Sequence, residues 1–343
     1  MVQYEKTIKQ LHQLVTQNVV PGVSYTIFDA HNQYSEVFGN AQLVPTKMKL
    51  WANAKYDVAS LTKVIGTTTV IMQLVERGEL NIEAPVHQYL PRFTDQRVTI
   101  RHLLTHTSGI EGYIKNRNQL PAEELTNQLL KLHVGKDFNQ RVKYADIGFI
   151  YLGWIIEYFY HQPVQQVIEQ QVLQPLKMTG ATFSPHKRDC VPTEVQLKRG
   201  LIRGQVHDPK AYILQEHCGC AGLFATLSDL EIFSHAMVTT NLAGLLTAAT
   251  IDQLFDDQTP MPGFHGRSFG WRVLKSDAVD NHLVIYHTGF TGTWMVLDRD
   301  EQQGFIMLSN RVHPSADNDE FLTRRNLIVR TYLQEKESEI KGV

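Results

Sequence analysis

The segment YDVASLTKVIGTTTVIMQLVERGEL, residues 56–80, sets Ser60 and Lys63 three residues apart at the head of an apolar run. Helical periodicity from Thr62 to Arg77 predicts a helix there. Residues three apart in a helix share a face, which brings the Ser60 hydroxyl beside the Lys63 ammonium. A serine hydroxyl is a poor nucleophile until its proton is drawn away, and a desolvated lysine or a helix amino terminus can assist that removal. The same residues fit a plainer role, with Ser60 capping the helix and Lys63 solvated. Spacing alone leaves both readings open.

Around this segment the chain has 343 residues, enough for one large folded unit or two subdomains that bury about three quarters of the unfolded surface. With 43% hydrophobic and 20% charged residues it has ordinary globular proportions rather than those of a disordered chain. A formal net charge of −2 leaves no global basic field to neutralise phosphates, so nucleic acid is not an expected partner. The densest basic run, LKRGLIRG at 197–204, is interrupted by glycines and reads as a solvated loop. The first twenty residues mix charges with leucines at helical spacing and contain no apolar signal core, which predicts an amphipathic helix. The greasiest stretch, IGFIYLGWIIEYFY from Ile147, is too short to cross a bilayer and carries Glu157, so no membrane span is expected. Three cysteines, Cys190, Cys218 and Cys220, are an odd number without a secretory context. They read as reduced thiols in a cytoplasmic protein, unless an export signal has been removed.

The periodicity changes along the chain. Val23–Phe28 and Tyr34–Phe38 are β-rich runs around the turn-forming DAHN and predict a hairpin. HLVIYHTGF, GTWMVLDRD and QGFIMLSN predict three more strands near the carboxyl end, followed by a helix over about 319–337 packing through Leu322, Leu327, Ile328 and Leu333. Between these ends helical spacing prevails: Ile100–Leu104, Ala122–Leu132, Gly148–Tyr160, Val164–Val172 and Ser228–Met237. The expected fold is α/β plus α (α+β): an antiparallel sheet flanked by terminal helices with an inserted, mostly helical subdomain. Residues 1–60 and 265–343 form the α/β part and 61–264 the helical part of a single domain of 343 residues. A ligand cleft is expected where the two meet.

ASLTK is followed in order by QLVERGELNIEAPVHQYLP, VTIRHLLTHTSGI, YADIGFIYLGWIIE, VLQPLKMTGATF, GQVHDPKA, AGLFATLSDL and YHTGFTG. This ordered set resembles the serine β-lactamase and penicillin-binding protein superfamily, particularly its class C and esterase-like branch. The resemblance runs from about the first helix to the last. It implies a β-lactamase/transpeptidase-like fold in which Ser60 is the acylated nucleophile, Lys63 its cationic partner and Tyr144 the base. A phenol titrates near 10, so a tyrosine base working near pH 7 requires about 4 kcal/mol of preferential stabilisation of its phenolate. One lysine supplies part of that. The family often places a second lysine where this chain has His287, an imidazole whose ordinary pKa near 6.5 makes its charge conditional on pH. Activity is therefore expected to show a pH limb that His287→Lys displaces. Thr288, Gly289 and Phe290 complete the substrate side: Gly289 permits close approach, and the Phe290 and Ser60 N–H groups are the expected oxyanion donors.

A further departure is Asp146, where the tyrosine motif usually has asparagine. An asparagine amide can donate to a substrate carbonyl, whereas an ionised aspartate only accepts. Asp146 is expected either to hold Lys63 or to receive a substrate ammonium, and the second option implies a substrate with a free amine or a small polar acyl group. Other features read as structural. HCGCAGLF lacks zinc-knuckle spacing, His102 and His106 lack the glutamate of a metalloprotease motif, and His207–Asp208 need not form a triad where lysine and tyrosine already supply a base. No metal or organic cofactor is implied. The resulting expectation is a serine hydrolase acting through an acyl-enzyme on esters or amides, with a small-molecule or peptide substrate such as cell-wall peptides, D-alanyl compounds or small esters. The alternatives are a class C-like β-lactamase and a non-catalytic penicillin-binding sensor that acylates and stalls. The sequence leaves the oligomeric state open.

Overall fold

The computed structural model describes residues 4–239, 242–277 and 280–340. Seven strands form one antiparallel sheet: β1 (Gly22–Phe28), β2 (Gln33–Gln42), β3 (Met48–Lys49), β4 (Arg272–Lys275), β5 (Leu283–Gly289), β6 (Thr293–Asp298) and β7 (Gln303–Ser309). Their spatial order is β4-β5-β6-β7-β1-β2-β3, so the two ends of the chain meet at the β7–β1 pair, with Val23 opposite Ser309. The predicted hairpin and three carboxyl-terminal strands are all present. β4 was not foreseen, because its four residues, RVLK, carry two charges and give little alternation to read.

Side chains alternate across this sheet, and both faces are covered. Tyr25, Trp294, Phe305 and Met307 face a layer made by the helices Glu5–Thr16 and Asp319–Ile340. Ile285, Met295, Ile306 and Leu308 face the opposite way into the larger core, where helix Leu227–Thr239 lies against the sheet. The two terminal helices are tied together by Glu335, which accepts from the Lys6 and Thr7 N–H groups at 2.8 Å and from Thr7 Oγ1 at 2.7 Å. This satisfies donors that the start of a helix otherwise leaves unpaired. Of the residues expected to dock the last helix, Ile328 and Leu333 are buried and Leu322 is partly so, but Leu327 is 50% exposed. Phe321, Val329 and Tyr332 carry the contact instead, because the apolar stripe runs through them and leaves Leu327 on the outer face.

The middle of the chain is mainly helical. Helix Asp146–Tyr160 is its axis: ten consecutive residues from Ile147 to Ile156 are buried, as expected of a helix hydrophobic all round. The segment at Ser60 departs from the predicted helix. A π-helical turn, Lys63–Thr67, precedes the α-helix Thr68–Glu76, and Ser60 lies in the turn before both. Such π turns recur at functional positions because they re-aim the side chains at their start. Among the described residues, no helix is long and apolar enough to cross a membrane.

Candidate active site

Ser60 is held from two sides. Tyr56–Asp57 pairs with Phe224–Ala225 in a short ribbon. On the other side, Thr291 Oγ1 donates to the Asp57 carbonyl at 2.7 Å and Thr293 Oγ1 to that of Val58 at 3.1 Å. Ala59, the residue before the serine, has φ 47°, in the left-handed region that non-glycine residues seldom occupy. Asp57 stabilises that bend by accepting from the Ala59 N–H at 2.9 Å. A strained, doubly anchored turn thus presents Ser60 at the end of β5.

Gly289 is required by this approach. A β-carbon there would lie 2.5 Å from the Val58 carbonyl oxygen and closer still to Thr293 Oγ1. Gly289→Ala is therefore expected to cost about 1–3 kcal/mol and to push Phe290 away from Ser60. Thermal melts and ester hydrolysis would check this, and a variant with unchanged stability and rate would contradict the close fit.

Lys63 is fully buried at the centre of the site. Its Nζ donates to Ser60 Oγ at 2.7 Å and to the Cys220 carbonyl at 2.8 Å, and pairs with Asp146 Oδ1 at 2.9 Å. Burial alone would push the ammonium toward neutrality, but the Asp146 carboxylate and the neighbouring Tyr144 hold its pKa well above the ordinary lysine value. Lys63 is an ammonium that donates to the serine oxygen and is not placed to take a proton from it. The CGC run serves this arrangement. Gly219 packs so tightly that a β-carbon would come within 2.6 Å of the Phe149 carbonyl, which brings the Cys220 carbonyl onto Lys63. All three cysteines are buried free thiols.

Both carboxylate oxygens of Asp146 are engaged, Oδ1 by Lys63 and Oδ2 by Lys210 Nζ at 3.1 Å. Burial would raise its pKa, but the two ammonium groups hold it far below the usual carboxylate range. Of the two expected roles, holding Lys63 is the one the geometry supplies, and a substrate ammonium meets no free oxygen here. Lys210 also pairs with Asp208 at 3.0 Å, and Asp208 caps the helix Pro209–Leu214 through the Lys210 and Ala211 N–H groups. Asp208 is thus committed to the cap and to Lys210, while His207 Nε2 pairs with Glu194 at 2.9 Å. Neither approaches the serine as a triad would require.

Tyr144 is 46% exposed, and its ring lies 5.4 Å from Lys63 Nζ. The ring of His106 packs on it at 4.5 Å between centroids, and that of His287 lies 6.0 Å away. His106 also accepts from the Ala145 N–H through Nδ1 at 3.3 Å, which fixes the tyrosine's backbone. Phe290 stands at the cleft edge, 53% exposed, stacked on His207 and with the Arg311 guanidinium carbon 4.6 Å from its ring centroid. Ser60, Tyr144, Asp146, Lys210, Arg199 and Phe290 all line one cleft of about 940 Å³. Arg199, expected in a solvated loop, instead lies over the Tyr212 ring at 3.9 Å on the cleft wall.

His287 does not match the conditional cation expected of it. Its ring is buried and, among the described residues, neither nitrogen has a hydrogen-bond partner. Burial first, and the nearby Lys63 and Arg267 charges next, push its pKa well below the ordinary value, so the imidazole is neutral near pH 7. The pH limb attributed to it should be absent. His287→Gln is expected to leave the shape of the pH–rate profile unchanged between about pH 5 and 8. Loss of a limb within that range would restore the charged role.

Ser60 and Lys63 were visible from local spacing. Lys210, His106 and the Cys220 carbonyl were missed as members of the site, since each reaches it from a distant part of the chain. The ordered motifs containing them were the only available signal. Away from the cleft, His282, Asp298 and Glu301 converge in a metal-like cluster, but Lys336 Nζ sits among them, 2.7 Å from Asp298 and 2.6 Å from Glu301.

A family model described as Beta-lactamase matches residues 6–329. An N-acetylmuramyl-L-alanine amidase of Bacillus subtilis (strain 168) is 24% identical over 92% of this chain and 83% of its own length. A putative D-alanyl-D-alanine carboxypeptidase of Escherichia coli (strain K12) is 25% identical over 95% of this chain and 88% of its own. Among solved structures, a class C beta-lactamase superposes with a TM-score of 0.74 at 18% identity, covering 95% of this chain and 96% of that one.

Proposed function

Because the chain belongs to the Beta-lactamase family and is a serine hydrolase, we propose that it forms an acyl-enzyme at Ser60 and releases it to water. The observation that carries this reading is the 2.7 Å contact between Lys63 Nζ and Ser60 Oγ at the floor of the cleft, with the Tyr144 ring against the same ammonium. In the reading, Tyr144 in its phenolate form takes the Ser60 proton as Oγ bonds to the substrate carbonyl carbon. The Ser60 and Phe290 N–H groups stabilise the oxyanion. As the carbonyl carbon's bond to the leaving nitrogen or oxygen breaks, Tyr144 returns the proton to that atom. Water then attacks the ester, gives a proton to Tyr144, and the Oγ–carbon bond breaks with the proton restored to Oγ. His287 is a neutral wall behind the phenol.

Substrates in this reading are amides or esters of cell-wall peptides, D-alanyl compounds or small acyl esters, the first two being bonds named in the relatives. Lys210, paired with Asp146 and Asp208 on the cleft wall, is a donor beside Asp146, the residue that stands where the family pattern has an asparagine. It suits a substrate carbonyl better than a substrate ammonium.

A panel containing a D-alanyl-D-alanine peptide, a muropeptide amide, p-nitrophenyl esters and a chromogenic cephalosporin tests the proposal. Sustained turnover of a peptide or ester, with slow or stalled reaction of the cephalosporin, is the expected result. A single burst with every member would instead make the protein an acylating sensor, and efficient cephalosporin turnover would make it a β-lactamase.

A further inference from the structure

A tyrosine base needs net positive charge around it, and the lysines do not provide it. Lys63 and Lys210 share the carboxylates of Asp146 and Asp208, so two positive charges face two negative ones. The other groups facing the Tyr144 ring are His106 and His287, both buried, both held well below the ordinary imidazole pKa by burial first and by nearby cations next. Glu111, paired with Lys143, and Arg117 line a hollow beside Tyr144. Among the described residues, the cation lying over the Tyr144 ring besides Lys63 is Arg267, whose guanidinium carbon is 5.9 Å from the ring centroid.

Arg267 is only 9% exposed, its Nε has no hydrogen-bond partner, and it pairs with no carboxylate among the described residues. Burial of a guanidinium without an ion pair is expensive, and here burial lowers its pKa to about 10, which still leaves it charged near neutrality. The residue is built into place through its backbone. Asp257 accepts from the N–H groups of His265, Gly266 and Arg267 at 2.6, 2.7 and 3.4 Å, and from Thr259 Oγ1 at 2.7 Å; its carboxylate makes no ion pair with the guanidinium but lies near enough for its charge to favour the protonated form. Gln258 N–H donates to the Arg267 carbonyl at 2.9 Å, and a bridge to Arg272 ties the loop to the edge strand β4.

We propose that Arg267, and not His287, supplies the second positive charge of this site, favouring the ionised form of Tyr144. Arg267 acts through Tyr144 and is a positioning residue. The inference rests on the acyl-enzyme reading above, and it locates the charge in a loop that carries none of the recognised motifs.

The test is the pH profile of kcat/KM for p-nitrophenyl acetate, followed at the isosbestic wavelength of the product, for wild type, Arg267→Gln, Arg267→Lys and Ser60→Ala. Removing a positive charge makes the ionised phenol harder to reach, so the pH of half-maximal rate in Arg267→Gln should move upward by about one unit, with a rate near pH 7 about tenfold lower that recovers at alkaline pH. Arg267→Lys, which keeps the charge, should stay within about half a unit of wild type. A glutamine profile lowered evenly at every pH overturns the inference, because a purely structural role acts that way. Should the glutamine protein not fold, the lysine profile decides alone, and a displacement of about a unit or more overturns it. Ser60→Ala separates the two levels: if it retains the wild-type rate, the acyl-enzyme reading has failed rather than the role of Arg267.

Discussion

Ester hydrolysis by the Ser60→Ala protein falls by roughly 10⁴-fold or more, while its melting temperature stays within a few degrees of wild type. The first half follows from the proposed reaction, in which Ser60 Oγ forms the covalent bond, so that removing it leaves only binding and oxyanion stabilisation. The second follows from the geometry. Ser60 Oγ receives one hydrogen bond from Lys63, and that ammonium keeps the Cys220 carbonyl and the Asp146 carboxylate when the hydroxyl is gone. A serine acting as a helix cap would give the reverse pattern, about 1 kcal/mol of lost stability with activity largely kept. Steady-state kinetics and a thermal melt on one preparation separate the two.

Asp146→Ala should be the most damaging single exchange for stability. It leaves Lys63, fully buried, without its only carboxylate partner among the described residues, while Lys210 retains Asp208. Breaking a buried pair from one side costs about 3–5 kcal/mol, and because the Asp146 side chain is 28% exposed we expect about 2–3 kcal/mol, or a fall of about 3–4 °C in melting temperature for a chain of this length. The pH dependence has a definite sign. The Asp146 carboxylate is held below its unfolded pKa, so its contribution is complete above about pH 4 and is lost as the pH drops further. The gap between wild type and variant should therefore narrow on acidification below about pH 4. His106 and His287, buried and neutral, act in both proteins: the unfolded chain takes up protons that the folded one refuses, so both lose stability as pH falls below about 6.5. A gap that stays constant down to about pH 3 would remove Asp146 from this role.

The parts of this molecule that were legible in the sequence are those written in local pattern. Alternating apolar residues gave β1, β5, β6 and β7, and the Ser60–Lys63 spacing gave a hydroxyl and an ammonium on one side of a turn. Tyr144 and His287 carry no such local signal and emerged only from the order of several motifs. What the residue types could not convey was protonation. Lys63 was expected as a cation, with Asp146 either holding it or receiving a substrate ammonium, and only the packing shows both Asp146 oxygens taken by lysines; His287 looked like a switch until its burial was known. Lys210 and Arg267 were invisible for the same reason, because a cation's role depends on which carboxylates reach it, and those contacts are fixed by tertiary packing. The π-helical turn at Lys63 was likewise hidden, since its apolar spacing is almost that of an α-helix.

Peptide mapping by mass spectrometry after reaction with a fluorophosphonate, with a slowly released penicillin in parallel, tests the central claim most directly. A single adduct on the peptide containing Ser60, formed more slowly in Tyr144→Phe and absent in Ser60→Ala, is the predicted result. An adduct on any other residue, or one that persists undiminished when Ser60 is alanine, would contradict the account.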